Sequence, residues 1–313
     1  MTINEAKKHM QSRRWGVFNH FLCGNPDGPG ALQDGPDLTD WNKRVELFDV
    51  ERIAKDLHDI GAGYYFITLM QGRKYMCAPN ATFDEIAGTK PGEACARRDL
   101  ILDLSEALAK YDIDLFLYYT GDGPYRDAEC GEKFGFLDPR KNVSMDFVQK
   151  WAAVLEEYAV RYGNRVKGWW IDGCYDFFDY DQEKLTPYYD AVKKGNPSAL
   201  VSMNNGVKDD LYRWYEKEDF TSGEFIDFTY IPGKVDISPS VPHILAPLGI
   251  SPKGKEFGGA WWNSPGCYRD SNYMKNYVRQ VNEAGGVVSI DIQIRYDSTW
   301  DPAQKACLAD INR

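Results

Sequence analysis

Short apolar runs alternate with stretches of 3.6-residue period along nearly the whole chain, the pattern of buried strands separated by amphipathic helices. The runs at 15–20, 64–69, 113–119, 166–171, 199–203, 225–230, 258–262 and 287–292 predict eight strands. Between them, Val50, Ile53, Ala54 and Leu57 form a stripe after Asp49, a residue type that caps helix N-termini. Leu100, Leu104, Ala107 and Leu108 form a second stripe, and Phe147, Trp151, Val154, Leu155 and Tyr158 follow Ser144 in the same way. Met274, Tyr277, Val278 and Val281 repeat the pattern after Ser271, and Asp301-Pro302 opens a last helix near 302–311.

Eight strands alternating with helices call for parallel pairing through right-handed crossovers. For one domain over 1–313 the economical closure is an α/β fold of the (β/α)8 TIM-barrel type. A doubly wound open sheet is the alternative. Its nucleotide loop would have to be Gly121-Asp122-Gly123, where Arg126 stands in place of the third glycine.

In a barrel, side chains just past the carboxyl ends of the strands converge on one face, which turns the fold into a residue list. It reads His20, Gln71, Tyr119, Asp172, Asn204 with Asn205, Trp262 with Asn263, and Asp291 with Gln293. Glu224 falls at the start of the sixth run. Asp172 closes the apolar run Val166 to Ile171, either aimed into the crevice or capping the turn that follows. Amides and histidine bind hydroxyls, rings stack on C–H faces, and paired carboxyl groups can act as acid and nucleophile. That is the equipment of a sugar site.

Composition narrows the partner. The formal net charge is −10 with aromatic residues at 14%, which disfavours nucleic acid or an anionic membrane and suits a neutral carbohydrate. Seven cysteines without a CxxC pair indicate neither a disulfide framework nor a zinc ribbon. Four histidines without HxH or HExxH spacing give no metal set, so neither metal nor cofactor is expected. A serine nucleophile lacks its GxSxG. The charged amino terminus is followed by no apolar stretch, and no run of ~18 apolar residues occurs, so the chain as given is expected to be cytoplasmic, or periplasmic or secreted if a signal was removed.

Several stretches resemble the retaining α-L-fucosidases of glycoside hydrolase family 29. Arg14 to Phe21 is similar to their opening strand, and Phe48 to Thr68 to their first helix and second strand. Asp99 to Tyr119 resembles the helix and strand that follow, and Trp169-Trp170-Ile171-Asp172-Gly173 the strand with the nucleophile. Asp219 to Phe225 resembles a segment whose Glu is acid/base in some members, and Gly285 to Ile290 the last strand. The resemblance implies an exo-acting retaining glycosidase with Asp172 as nucleophile and Glu224 as acid/base, and with His20, Tyr119 and Trp170 against the sugar. Gln71, Asn204, Trp262 and Asp291 complete the expected binding set from their places at strand ends. Glu218, Asp219, Asp176 and Asp179 are the other candidate acids nearby.

The departures fall on sugar contacts. A tandem histidine motif after the second strand is replaced by Met70 to Tyr75, an arginine after the fifth by Asn205-Gly206, and an NxGP motif after the last by Asp291 to Ile294. The chain stops at the last barrel helix, so no carboxy-terminal β-sandwich is expected. Three alternatives stay open: a sugar other than fucose, a carbohydrate-binding protein on an inactive barrel, and a lyase or isomerase using Asp291, Arg295 and Tyr296.

Overall fold

A computed structural model describes residues 1–23, 40–136, 141–233 and 236–312. Its strands are β1 (Trp15–Asn19), β2 (Tyr64–Thr68), β3 (Asp114–Thr120), β4 (Val166–Asp172), β5 (Leu200–Met203), β6 (His243–Pro247) and β7 (Val287–Asp291). All pair in parallel in the order β5-β4-β3-β2-β1-β7-β6, and so make a seven-stranded sheet. The helices are α1 (Ile3–Arg13), α2 (Trp41–Glu46), α3 (Val50–Ile60), α4 (Ala81–Ala87), α5 (Leu100–Ala109), α6 (Ala128–Phe134), α7 (Met145–Tyr162), α8 (Gln182–Gly195), α9 (Ser271–Glu283) and α10 (Pro302–Leu308).

Local chemistry accounts for the boundaries. Asp49 accepts a hydrogen bond from the Arg52 amide at the start of α3, Ser144 from Phe147 at α7, and Asp301 from Ala303 and Gln304 at α10. For α9 the cap is Asp270, one residue before the expected Ser271. Thr2 and Glu5 form a capping box at the head of α1. That helix lays Ala6 and Met10 on the barrel interior at its amino-terminal end. No helix among the described residues is long and apolar enough to cross a membrane.

Six of the eight predicted strands are present, as β1 to β5 and β7, but the expected closed eight-stranded barrel is a seven-stranded sheet curled into an incomplete ring. The run 225–230 is not a strand. Instead residues 219–225 cross the gap between β5 and β6. The Asp219 amide donates to the Val201 carbonyl (2.7 Å), Thr221 to Val241 (3.0 Å) and Phe225 to Leu245 (2.9 Å), while the Leu245 amide donates to Gly223 (2.8 Å). Regular pairing fails here because Gly223 has φ +57° and passes so close to β6 that a Cβ on it would lie 1.7 Å from the His243 carbonyl oxygen.

The run 258–262 is not a strand either. Trp262 and Asn263 both adopt left-handed backbone, φ +54° and +66°, which a pleated strand cannot accommodate, and only Gly259 makes an isolated antiparallel bridge to Ile250. The strand missing from the eight predicted runs is β6. It opens on a histidine and closes on Pro247, a residue that a sheet tolerates at its edge.

Alternation along the strands sorts the aromatics. Phe18, Tyr64, Phe66, Phe116, Tyr118 and Trp170 fill the ring with Leu200, Phe220 and Leu245, whereas Val17, Tyr65, Leu117, Tyr119, Trp169 and Ile171 face the helices. Much of the aromatic excess is therefore core.

Candidate active site

Strand β4 sends Trp170 and Asp172 to the same face, into a cavity of about 210 Å³ at the carboxyl end of the sheet. Beside them in register stand Tyr118, opposite Trp170, and Thr120, opposite Asp172. The chain turns sharply after Asp172: the Gly121 amide donates to its carbonyl (2.6 Å), and Gly173 has φ +66°. A Cβ on Gly173 would lie 2.8 Å from the Thr120 hydroxyl oxygen, so the turn admits glycine only.

The Asp172 carboxyl accepts three hydrogen bonds. Tyr118 Oη donates to Oδ2 (2.7 Å), and Asn204 Nδ2 (2.8 Å) and Tyr175 Oη (3.2 Å) donate to Oδ1. None of these donors is a helix amide. The capping role left open by the sequence is therefore not the one Asp172 fills.

Glu224 enters from the gap segment. Asn204 Nδ2 also donates to its Oε2 (2.6 Å), so one amide nitrogen just past β5 links the two carboxyl groups. Their nearest oxygens can be no further apart than those two bonds laid end to end. Burial, reinforced by the charge on Asp172 and opposed by the Asn204 bond, pushes the Glu224 carboxyl up to about 8. The segment is pinned from β4 as well, since Trp170 Nε1 donates to the Ser222 carbonyl (2.9 Å).

The other candidate acids are engaged elsewhere. Glu218 is buried, accepting the Trp214 amide (3.2 Å), and Asp219 pairs with Lys193 (2.8 Å) and Lys7 (3.4 Å). Asp176 and Asp179 are exposed, the latter bound to Lys184 (2.8 Å).

The opposite wall comes from β1, β2 and the 258–264 turn. His20 lines the cavity with its Nδ1 held 2.8 Å from Asp291 Oδ1, which leaves Nε2 as the nitrogen free to address a ligand. Gln71 lines it too, its Oε1 accepting from Trp262 Nε1 (3.1 Å). The left-handed backbone at Trp262 and Asn263 presents Trp261 and Trp262 to the cavity, with centroids 6.0 and 6.5 Å from His20.

Of the expected residues, Asp172, Glu224, His20, Gln71, Trp170 and Trp262 line one cavity. Tyr119 does not: it is fully buried on the helix side, donating to the Trp151 carbonyl (2.9 Å). Strand parity is the reason, because the residue that shares the face of Trp170 is Tyr118. Asn204 and Asp291 act behind the cavity, the one bridging the carboxyls and the other holding His20. Burial raises the Asp291 carboxyl against the pull of the imidazole. Arg295 and Tyr296 are not among the described lining residues, which leaves the lyase or isomerase set unassembled.

Sequence reasoning missed Tyr118, Asp122, Tyr125, Tyr175 and Trp261, all of which line the cavity. Counting in twos back from Asp172 through Trp170 to its neighbour on β3 could have found Tyr118. Tyr175 and Tyr125 lie in turns, where no period applies.

No family model matches the chain, and no curated protein matches it. Solved structures do. The α-L-fucosidase AlfC from Lactobacillus casei, in complex with its α-L-fucose product, matches with a TM-score of 0.66 at 18% identity, over 99% of this chain and 98% of that one. A family 29 α-L-fucosidase from Bacteroides thetaiotaomicron matches at 0.66 and 16%, over 97% of this chain and 72% of that one. The endo-fucoidan hydrolase MfFcnA4 of glycoside hydrolase family 107 matches at 0.71 and 14%, over 98% and 53%. The chain thus has the fold of fucosidase-like glycoside hydrolases.

Proposed function

We propose that the protein is an exo-acting, retaining glycoside hydrolase resembling the α-L-fucosidases. The observation that carries this reading is the single Asn204 nitrogen bonded to both Asp172 and Glu224 within the cavity. Such a separation suits the ~5–5.5 Å of a nucleophile and acid/base pair, and falls short of the ~6.5–9.5 Å that would leave room for an inverting water.

In the first step Asp172 Oδ attacks the anomeric carbon as the glycosidic C–O bond breaks, and Glu224 delivers its proton to the departing oxygen. A carboxyl pushed up to about 8 still holds that proton at neutral pH. Forming the glycosyl ester removes the negative charge of Asp172, one of the two causes that raise Glu224. With that cause gone its carboxyl falls back toward the ordinary range, so the carboxylate left by the first step stays ionised and is available as the general base. It takes a proton from water as the water oxygen attacks the anomeric carbon, the ester bond breaks, and sugar leaves with its configuration retained.

The cavity lining favours a neutral glycone. Its described residues include the carboxyl groups of Asp122, Asp172 and Glu224 and neither lysine nor arginine, so an anionic sugar would meet repulsion. Phe18 and Leu245 supply an apolar floor for the methyl group of a 6-deoxy sugar, and His20 and Gln71 supply hydroxyl partners.

The test is a panel of 4-nitrophenyl glycosides, α-L-fucoside included, followed by NMR of the first-formed product. Release of sugar with the anomeric configuration of the substrate is expected. Inverted product would contradict the double displacement, and saturable binding without product would instead identify a carbohydrate-binding protein.

A further inference from the structure

Large apolar side chains exposed on the described surface are few, and four of them belong to loops that flank the proposed catalytic pair. Phe177 (65% exposed) and Val207 (47%) follow β4 and β5, Ile226 (57%) lies two residues past Glu224, and Phe257 (58%) lies in the loop after β6. The loops are joined in two pairs. The Asp176 amide donates to Asn205 Oδ1 (3.0 Å), and Gly206 packs on Tyr175, a Cβ there lying 3.7 Å from the ring. On the other side a Cβ placed on Gly258 would lie 3.7 Å from the Ile226 carbonyl oxygen.

One of these side chains extends a cavity wall. The Phe177 ring stacks on Tyr175 (centroids 4.9 Å, planes 25° apart), and Tyr175 lines the cavity and donates to Asp172. A proton donor must stand on the side from which the leaving group departs, and Ile226 follows Glu224 out of the cavity on the same segment. Isolated exposed apolar residues are ordinary; four of them on loops that also carry cavity-lining residues, the loops joined two by two, form an apolar rim.

We propose that Phe177, Val207, Ile226 and Phe257 form an aglycone subsite that takes a leaving group with a flat apolar face. This rests on the glycosidase reading of the same cavity. Two sources share that chemistry, the C–H face of a pyranose in a glycan and the ring of an aryl glycoside. The four side chains would hold the leaving group by burying its face, with direction supplied by the sugar already anchored below.

The experiment compares wild type with Phe177→Ala and with the double variant Ile226→Ser/Phe257→Ser on three substrates of one glycone. These are α-L-fucosyl fluoride, whose leaving group is a single atom, 4-nitrophenyl α-L-fucoside, and a fucosylated disaccharide. Expected is a fall in kcat/KM of roughly 3–10-fold per variant on the substrates with a ring, and a smaller change on the fluoride. A fall on the aryl glycoside alone assigns the subsite to aromatic leaving groups, and a fall on the disaccharide assigns it to glycans. Equal losses on all three substrates, or no loss on any, would overturn the subsite while leaving the glycosidase reading standing. Wild-type protein that turns over none of the three, nor any glycoside of the panel, removes both. Because the four positions are exposed, melting temperatures should stay close to wild type, which separates a lost contact from a lost fold.

Discussion

Asp172 and Glu224 reach the same Asn204 nitrogen from walls built in different ways. Asp172 ends β4, which is laddered to β3 on one side and to β5 on the other, so its backbone is fixed by regular pairing. Glu224 sits on a stretch with two isolated bridges, Phe220 to Val241 and Glu224 to Leu245, held by scattered backbone bonds and by a glycine that no side chain can replace without a shift. The proposed nucleophile thus inherits rigidity from the sheet, while the proposed acid depends on a local device in the gap of the ring. The two functions should fail separately.

The largest effect is expected at Asp172. Asp172→Asn should cut hydrolysis on the order of 10⁴-fold while sugar binding persists, since the amide keeps the shape but cannot form the glycosyl ester. Turnover near wild type, measured with the best substrate of the panel, would place the nucleophile elsewhere. Glu224→Ala should cost roughly 10²–10⁴-fold on poor leaving groups and much less on good ones, with azide restoring turnover of the latter as the inverted glycosyl azide. Equal loss on both would reduce Glu224 to a structural role.

Gly223→Ala sharpens the contrast between the walls. Its added methyl meets the His243 carbonyl, so the gap segment must shift and carry Glu224 with it. The variant should copy the leaving-group dependence of Glu224→Ala, with a loss of roughly 10–100-fold, about what misplacement by an ångström can cost. A variant with reduced turnover that is independent of the leaving group would show that both walls move together.

The pH profile tests the electrostatics. Wild-type kcat/KM should fall as pH rises through about 8, where Glu224 loses its proton. Because the Asn204 bond lowers the Glu224 carboxyl, Asn204→Ala should move that limb upward while reducing kcat; a downward move would contradict the role given to Asn204. Stability follows the same carboxyl with a definite sign. Between its ordinary 4.5 and about 8 the folded protein holds a proton that the unfolded chain has released, so wild type loses stability as pH rises through that window. Glu224→Gln should therefore melt above wild type at pH 8 and close to it at pH 4.5, and a constant difference across pH would refute the shift. The smallest effect is expected at Asp291, where Asn in place of Asp lets the His20 ring turn and raises KM more than it lowers kcat.

Regular pairing also decided what could be read from sequence. Asp172, Trp170 and His20 lie within or just past apolar strands with clear flanks, and all three line the cavity. The fault at Tyr119 was one residue of parity, which the apolar run Asp114–Thr120 cannot resolve because both of its faces are buried. Where the chain leaves period 2, the signal disappears. The predicted strand 225–230 begins only where the gap segment 219–225 ends, and the turn holding Trp261 and Trp262 looks apolar enough for a strand until two left-handed residues break it. The β6 run is masked by Pro242 before it and Pro247 at its end, and by His243, a buried imidazole that bonds Ser289 in the ring interior (2.8 Å) and that burial pushes down to about 4. The position of Glu224 came from a likeness of motif, and its environment from the folded chain alone.

The central claim is that Asp172 forms a covalent bond to the sugar. Incubation with 2-fluoro-fucosyl fluoride, or the fluorinated form of whichever glycone the panel selects, followed by proteolysis and mass spectrometry, tests it most directly. A single glycosylated peptide is expected, with the sugar on Asp172, accumulating as activity is lost. A label on any other residue, or turnover of the fluorinated substrate to an inverted product with no labelled peptide, would contradict it.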